Sequence, residues 1–321
     1  MKIEKLSENV RPHFSNPVQL KRMGDIYEVR YMSRKAEIPI RKLDKDFFVD
    51  LSTGEVKAFK HGESRVDNLT SVSQSLKRMR EYINTNVINP RRTLFITLTY
   101  AENMQDPQQL YDDFRKFNMR LDYHIRKNNL PSYEYIVAIE PQARGSLHAH
   151  LLLIFQKKAP FIPDRDLAKI WGHGFVKIKA LKNVDNIGAY LSAYLGDMEL
   201  DEALAASSGG NGFKVVESAN KGGKRQSKAI VKGARLKLYP KGFRLFRKSK
   251  GILPPTIKDC TEAEAMREIG SAVLTYEKTI KLVNDDAHGK TCNIINYRHY
   301  NKKRKRNKNS NNAKHMYPPQ K

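Results

Sequence analysis

Two cysteines, Cys260 and Cys292, are all that the chain contains, and no CxxC spacing joins them. That argues against a disulfide framework or a cysteine-ligated metal, and makes a reducing cytoplasm the expected compartment. Long apolar runs are missing as well. No stretch approaches the roughly 18 residues that cross a bilayer. The opening MKIEKLSENVRPHF lacks the hydrophobic centre of a secretory signal, and no lipidation box ends the chain. No membrane role is expected. Acidic residues are scarce too: 34 Asp and Glu stand against 59 Lys and Arg, a net charge of +25 that selects nucleic acid as the partner. No internal repeat of about 20–50 residues is visible. HGKT at 288–291 has Asn284 where a phosphate-binding loop needs glycine. An intrinsic helicase is therefore not expected, and a host enzyme would have to unwind any duplex.

With 40% hydrophobic residues in 321, the chain can bury a sizeable core. Composition divides it into an N-terminal hairpin and helix extension (1–90), a core (91–200), a basic and helical extension (201–295) and a basic tail expected to be disordered (296–321). In the first part, DFFVDLSTGEVKAF reads as a hairpin around Ser52-Thr53-Gly54. Leu69, Val72, Leu76, Met79 and Ile83 then keep a helical spacing that ends at Asn89-Pro90.

In the core, TLFITLTY (93–100) is a strand, and Asp106-Pro107-Gln108-Gln109 resembles a capping box for a helix burying Leu110, Phe114, Phe117, Leu121 and Ile125. YEYIVAIE (133–140) and HAHLLLIF (148–155) are strands joined by seven residues. A short helix at 164–171, a strand GFVKIKAL (174–181) and a helix through NIGAYLSAYL follow. The order β-α-β-β-α-β-α predicts an α+β fold, a ferredoxin-like antiparallel sheet of the split βαβ kind with an added helix. Beyond it, 214–250 carries 13 Lys or Arg and one acid, Glu217, with Tyr239, Phe243 and Phe246 interleaved as an expected strand-binding surface. A capped helix from Thr261 is expected to bury Met266, Ile269, Val273, Tyr276 and Ile280.

Alternation along a strand puts His148 and His150 on one face, with Ala149, Leu151 and Leu153 on the other. The seven-residue connection places Glu140 opposite His148, at a Cβ separation of about 4.5–5.5 Å. Two imidazoles and a carboxylate then share one sheet face, a donor set that suits several metals. A bare HxH at a solvated strand edge is the commoner situation, and the parity of Glu140 is what weighs against it here. His173, in WGHG, is an alternative ligand that a turn position makes less suited. On the final core helix, Ile187, Leu191 and Leu195 form the buried stripe, and Tyr190 and Tyr194 lie side by side along its flank. Tyrosines so placed commonly snorkel at a core rim. A nearby cation would instead make nucleophilic attack on phosphate feasible for them.

FITLTY, HAH and YLSAY, in that order, resemble the three motifs of the HUH endonucleases, specifically the two-tyrosine rolling-circle replication initiators of single-stranded DNA phages and related bacterial elements. WGHGFVKI (171–178) is similar to the segment that precedes the tyrosine helix. The resemblance spans about 91–197, a third of the chain. It implies a nickase in which His148 and His150, with Glu140, hold Mg²⁺ or Mn²⁺ against the scissile phosphate. Tyr190 and Tyr194 would be the alternating nucleophiles, forming a 5′-phosphotyrosine and releasing a 3′-OH. Single-stranded origin DNA, a host helicase and a host DNA polymerase are the implied partners. One departure stands out: the lysine that often accompanies the tyrosines is replaced by Ala193 and Gly196-Asp197, leaving Arg144 or Lys182 to supply its charge. A conjugative relaxase or transposase would share the chemistry, but Leu151–Ile154 lacks the third histidine frequent in relaxases, and transposases of this type usually have one tyrosine. A non-catalytic nucleic-acid-binding protein would instead expose aromatic residues on its central strands.

Overall fold

The computed structural model describes residues 2–35, 40–60, 69–142, 144–179, 181, 186–196, 198–199, 215–218, 228–231, 235, 238–239, 242–283 and 291–304. The fold is α+β with antiparallel sheets and few helices. No described helix is long and apolar enough to cross a membrane. The chain divides into two units, residues 37–255 and a second formed by 1–36 with 256–321.

The centre of the first unit is a five-stranded sheet: β1 (Thr93–Leu98), β2 (Tyr133–Pro141), β3 (Leu147–Phe155), β4 (Val176–Lys179) and β5 (Phe246–Lys248). The spatial order is β4-β1-β3-β2-β5, and every neighbouring pair is antiparallel. Four helices flank it: α1 (Leu69–Asn86), α2 (Pro107–Lys127), α3 (Asp164–Trp171) and α4 (Ile187–Gly196). Asp106 starts α2 by accepting from Gln108 N at 2.8 Å, with Pro107 in the first turn where its missing N–H costs nothing. The reciprocal arm of the expected capping box is directed elsewhere: Gln109 Nε2 donates to Asp113 Oδ1.

Strand alternation sorts the core into two layers. Ile96, Leu98, Val137, Ile139, Ala149, Leu151 and Leu153 face α2 and α3, meeting Leu110, Phe114, Phe117, Leu121, Leu167 and Trp171. Phe95, Ile136, Ala138 and Leu152 face the other way, toward Met79 and Ile83 of α1 and Ile187, Leu191 and Leu195 of α4. Each such Leu, Ile or Phe contributes about 1.5–3 kcal/mol on burial. By parity with Ala138 and Leu152, the histidines of β3 and Glu140 of β2 belong to the face that α1 and α4 cover.

Phe47–Asp50 pairs with Val56–Ala58 as the expected hairpin, and Ile40–Lys42 adds a third strand. In the basic stretch, Val215–Ser218, Lys228–Val231 and Met198–Glu199 form another small sheet. The aromatics expected to face a nucleic-acid strand do not: Tyr239 and Phe243 are buried in the α2 layer, and Phe246 is half-buried on edge strand β5. Their hydrophobic area is worth more against the core than in solvent.

The second unit is a six-stranded antiparallel sheet ordered Lys2–Lys5, Val273–Val283, Thr291–Asn301, Ile26–Met32, Pro17–Met23, Thr256–Thr261. Helix α5 (Glu262–Ile269) packs Ala265 and Ile269 against Val18, Leu20, Tyr27 and Val29. Its capping box at Thr261 and Glu264 is formed. The helix does not extend to Ile280 as its spacing suggested. Gly270, at φ 58, ends it, and Val273–Val283 is a strand pairing with Thr291–Asn301. β-Branched Val273, Thr275, Thr279, Ile280 and Val283 favour that partner over a longer helix. The expected tail also begins too early. Arg298 is only 1% exposed and makes a bidentate ion pair with Glu262, with Nη2 to Oε2 at 2.7 Å. The HGKT segment at 288–290 and the tail from 305 lie outside the described residues.

Candidate functional site

The β2–β3 register sets Glu140 directly across from His148 and Ala138 from His150. His150 stacks on Phe95, and its Nδ1 lies 3.3 Å from Thr97 Oγ1, while its Nε2 meets Glu140 Oε2. The other carboxylate oxygen of Glu140 is 2.9 Å from Nη1 of Arg235, which also donates to Pro141 O at 2.8 Å. Glu140 and Arg235 are 8% and 5% exposed, so this is a buried charge pair tied to the end of β2. Such a pair is held together by the cost of leaving either ion alone.

These surroundings set the protonation states. Burial raises the Glu140 carboxyl, but the His150 hydrogen bond and the charges of His150, Arg235 and His148 outweigh it and leave the group below its usual value. Burial pushes His148 down to about 4, against the opposing pull of Glu140. At neutral pH the set is therefore an ionised carboxylate beside a neutral His148, the form that ligates a cation. A carboxylate with imidazoles suits Mg²⁺ or Mn²⁺ chemically. Geometrically Glu140 is turned to Arg235 and His150, and among the described residues no three His, Cys, Asp or Glu side chains converge as a cation cage.

His148 opens onto a cleft of about 530 Å³ shared with Gln142, Arg144, Phe175 and the chain at 99–101. Arg144 is exposed and its Nε donates to Gln142 Oε1 at 3.1 Å. Lys182, the other cation considered for the role of the absent lysine, lies outside the described residues. His173 is engaged differently: its Nε2 is 3.5 Å from Asp113, and its ring packs on Tyr100 and Trp171.

Tyr190 and Tyr194 lie one turn apart on α4, while their side-chain positions lie outside the described residues. The seating of that helix is well defined. Asn186 Oδ1 accepts from Ala189 N and Asn84 Oδ1 from Gly188 N, both at 3.0 Å, and Asn84 Nδ2 donates to Asn186 Oδ1. Asn84 of α1 thus satisfies a free N–H of the first turn of α4. Gly188 permits the contact, since a Cβ there would stand 2.7 Å from Arg80 O. At the other end, the buried Tyr239 hydroxyl is 2.8 Å from Ile139 O and 3.2 Å from Leu195 O, linking β2 beside Glu140 to α4 beside Tyr194.

Arg235, Tyr239 and Asn84 were not singled out from sequence as parts of the site. Arg235 and Tyr239 sit in a strongly basic run, and Asn84 reads as one polar position on an amphipathic helix. Only the fold distinguishes them.

Residues 93–199 match a family model described as that of the replication-associated protein ORF2. The match begins at β1 and runs past α4, about a third of the chain. Neither a curated protein nor a solved structure matches. The family match supports a replication-associated role. Arg235, Tyr239 and Asn84 all lie outside the matched segment.

Proposed function

We propose that the protein is a metal-dependent, sequence-specific single-stranded DNA endonuclease that initiates rolling-circle replication and rejoins the strand afterwards. The observation that carries this reading is the placement of Glu140, His148 and His150 by strand parity on the sheet face covered by α4, the helix bearing Tyr190 and Tyr194. The β4-β1-β3-β2 order with intervening helices fits the ferredoxin-like, HUH-type arrangement, and the replication-associated family match agrees with it.

His148, His150 and Glu140 would hold Mg²⁺ or Mn²⁺. When bound, that cation neutralises charge on the scissile phosphate and makes phosphorus more electrophilic. Arg235 keeps Glu140 ionised and fixed, and Thr97 and Phe95 hold the His150 ring. The oxygen of Tyr190 or Tyr194 attacks phosphorus and gives up its proton. The P–O3′ bond breaks, and the departing oxygen takes a proton to become the 3′-OH primer. A second tyrosine one turn away lets a regenerated origin be cut before the first adduct is released, and attack of the 3′-OH closes the displaced strand. A host helicase and DNA polymerase would act alongside.

The test is incubation with Mn²⁺ and single-stranded origin DNA, followed by a denaturing gel. A covalent adduct is expected. It should persist in part in Tyr190→Phe and Tyr194→Phe singly and vanish in the double variant. A double variant that still cleaves overturns the tyrosine assignment.

A further inference from the structure

Phe175 is 79% exposed, yet its backbone is among the most firmly tied in the unit. Thr99 donates to Phe175 O through both its N (3.0 Å) and its Oγ1 (2.8 Å), and Ala101 N donates to His173 O at 2.9 Å. Between them, Gly174 lies so close to the 99–101 chain that a Cβ would stand 2.5 Å from Thr99 O and Ala101 N. A large ring is therefore presented to solvent from a backbone with little freedom left to lose. The opposite wall of the same cleft carries Arg144 and His148. Its loop is also pinned: Asn103 Nδ2 donates to Arg144 O, and Gln142 N to Ser146 O.

We infer that this cleft is a subsite for one unpaired base of the DNA strand, stacked on Phe175, with Arg144 on an adjoining phosphate. The inference rests on the nicking reading and adds where the strand enters. Aromatic rings stack on any base face without needing its edge, and guanidinium groups pair with phosphate oxygens. A preordered ring and loop reduce the ordering cost of binding. A duplex, with its bases already stacked, cannot use the ring. The subsite therefore selects single strands, and beside His148 it would position the neighbouring phosphate at the site itself.

The experiment is fluorescence anisotropy with oligo(dT) of about 20 nucleotides and a duplex of equal length, across a salt series. Phe175→Ala should weaken single-strand binding roughly 5- to 150-fold, the worth of one stacked base, and leave duplex binding unchanged. Phe175→Trp should restore or exceed wild-type affinity. Arg144→Gln should reduce the salt slope by about 0.7, one phosphate's share on a single strand. Equal affinity of Phe175→Ala and wild type, or equal weakening on duplex, overturns the subsite. Adduct formation by the wild type with no effect of Phe175→Ala removes the subsite and keeps the nickase. Stacking-dependent binding without any adduct keeps the subsite and removes the nickase. Unchanged unfolding of each variant, followed by Trp171 fluorescence, excludes misfolding as the cause.

Discussion

Tyr239→Phe removes one hydroxyl and leaves the ring in place against Phe243, 5.5 Å away between centroids. That hydroxyl is the link between Ile139 O and Leu195 O. Burial, reinforced by the charge of Glu140, holds the phenol well above its ordinary pKa, so it remains a donor at any working pH. Its loss forfeits about 1 kcal/mol of net hydrogen bonding and strands buried carbonyl oxygen, for a total of about 2 kcal/mol. In a unit of this size that lowers the unfolding midpoint by about 4–8 °C. Trp171 is the single tryptophan of the chain and is fully buried in this unit, so its fluorescence reports the transition directly. Because the link ends one residue beyond Tyr194, adduct formation should fall by roughly tenfold or more, while oligonucleotide affinity holds. A midpoint within about 1 °C of wild type, with unchanged adduct yield, refutes the idea that this hydroxyl seats the helix.

Gly188→Ala tests the other end of the same helix. The new methyl meets the Arg80 carbonyl, which is helix backbone and cannot rotate away, so a loss of about 1–3 kcal/mol and of nicking is expected by Trp171 unfolding and adduct yield. In the second unit, Glu262→Ala leaves the Arg298 charge buried and should cost about 3–5 kcal/mol, whereas Glu262→Met with Arg298→Met recovers most of it. Hydrogen exchange of the Thr291–Asn301 amides measures both. Glu277 is held below its usual value because hydrogen bonds from Arg11 and Asn296, with the Arg11 charge, outweigh its burial. A lowered folded pKa means stability present above about pH 4.5 and lost as pH falls toward the folded value. Arg11→Gln should flatten that acid limb, and an unchanged pH profile of unfolding would count against the pairing.

Much of the first unit was legible because its helices and strands carry clean periods. Leu110, Phe114, Phe117, Leu121 and Ile125 are all buried where their spacing puts them, as are Ile187, Leu191 and Leu195. The Glu140–His148 register followed from the length of a short hairpin, a local property. The failures were non-local. Met266, Ile269 and Val273 fit helical spacing, but the segment's true partners lie in 291–301 and 2–5, which no local pattern reveals. A charge run hid Arg298, since its acidic partner is 36 residues away. In the same way Arg235 and Tyr239 were lost among basic neighbours, although they pack against the best-marked part of the sequence.

The central claim is that Glu140, His148, His150 and the two tyrosines form one nicking centre. Its most direct test is mass spectrometry of the protein after reaction with Mn²⁺ and a single-stranded origin oligonucleotide. The account predicts a nucleotide covalently attached to Tyr190 or Tyr194 in the wild type, and none in His148→Ala even though that variant still binds the strand. An adduct on any other residue, or an undiminished adduct in His148→Ala, contradicts it.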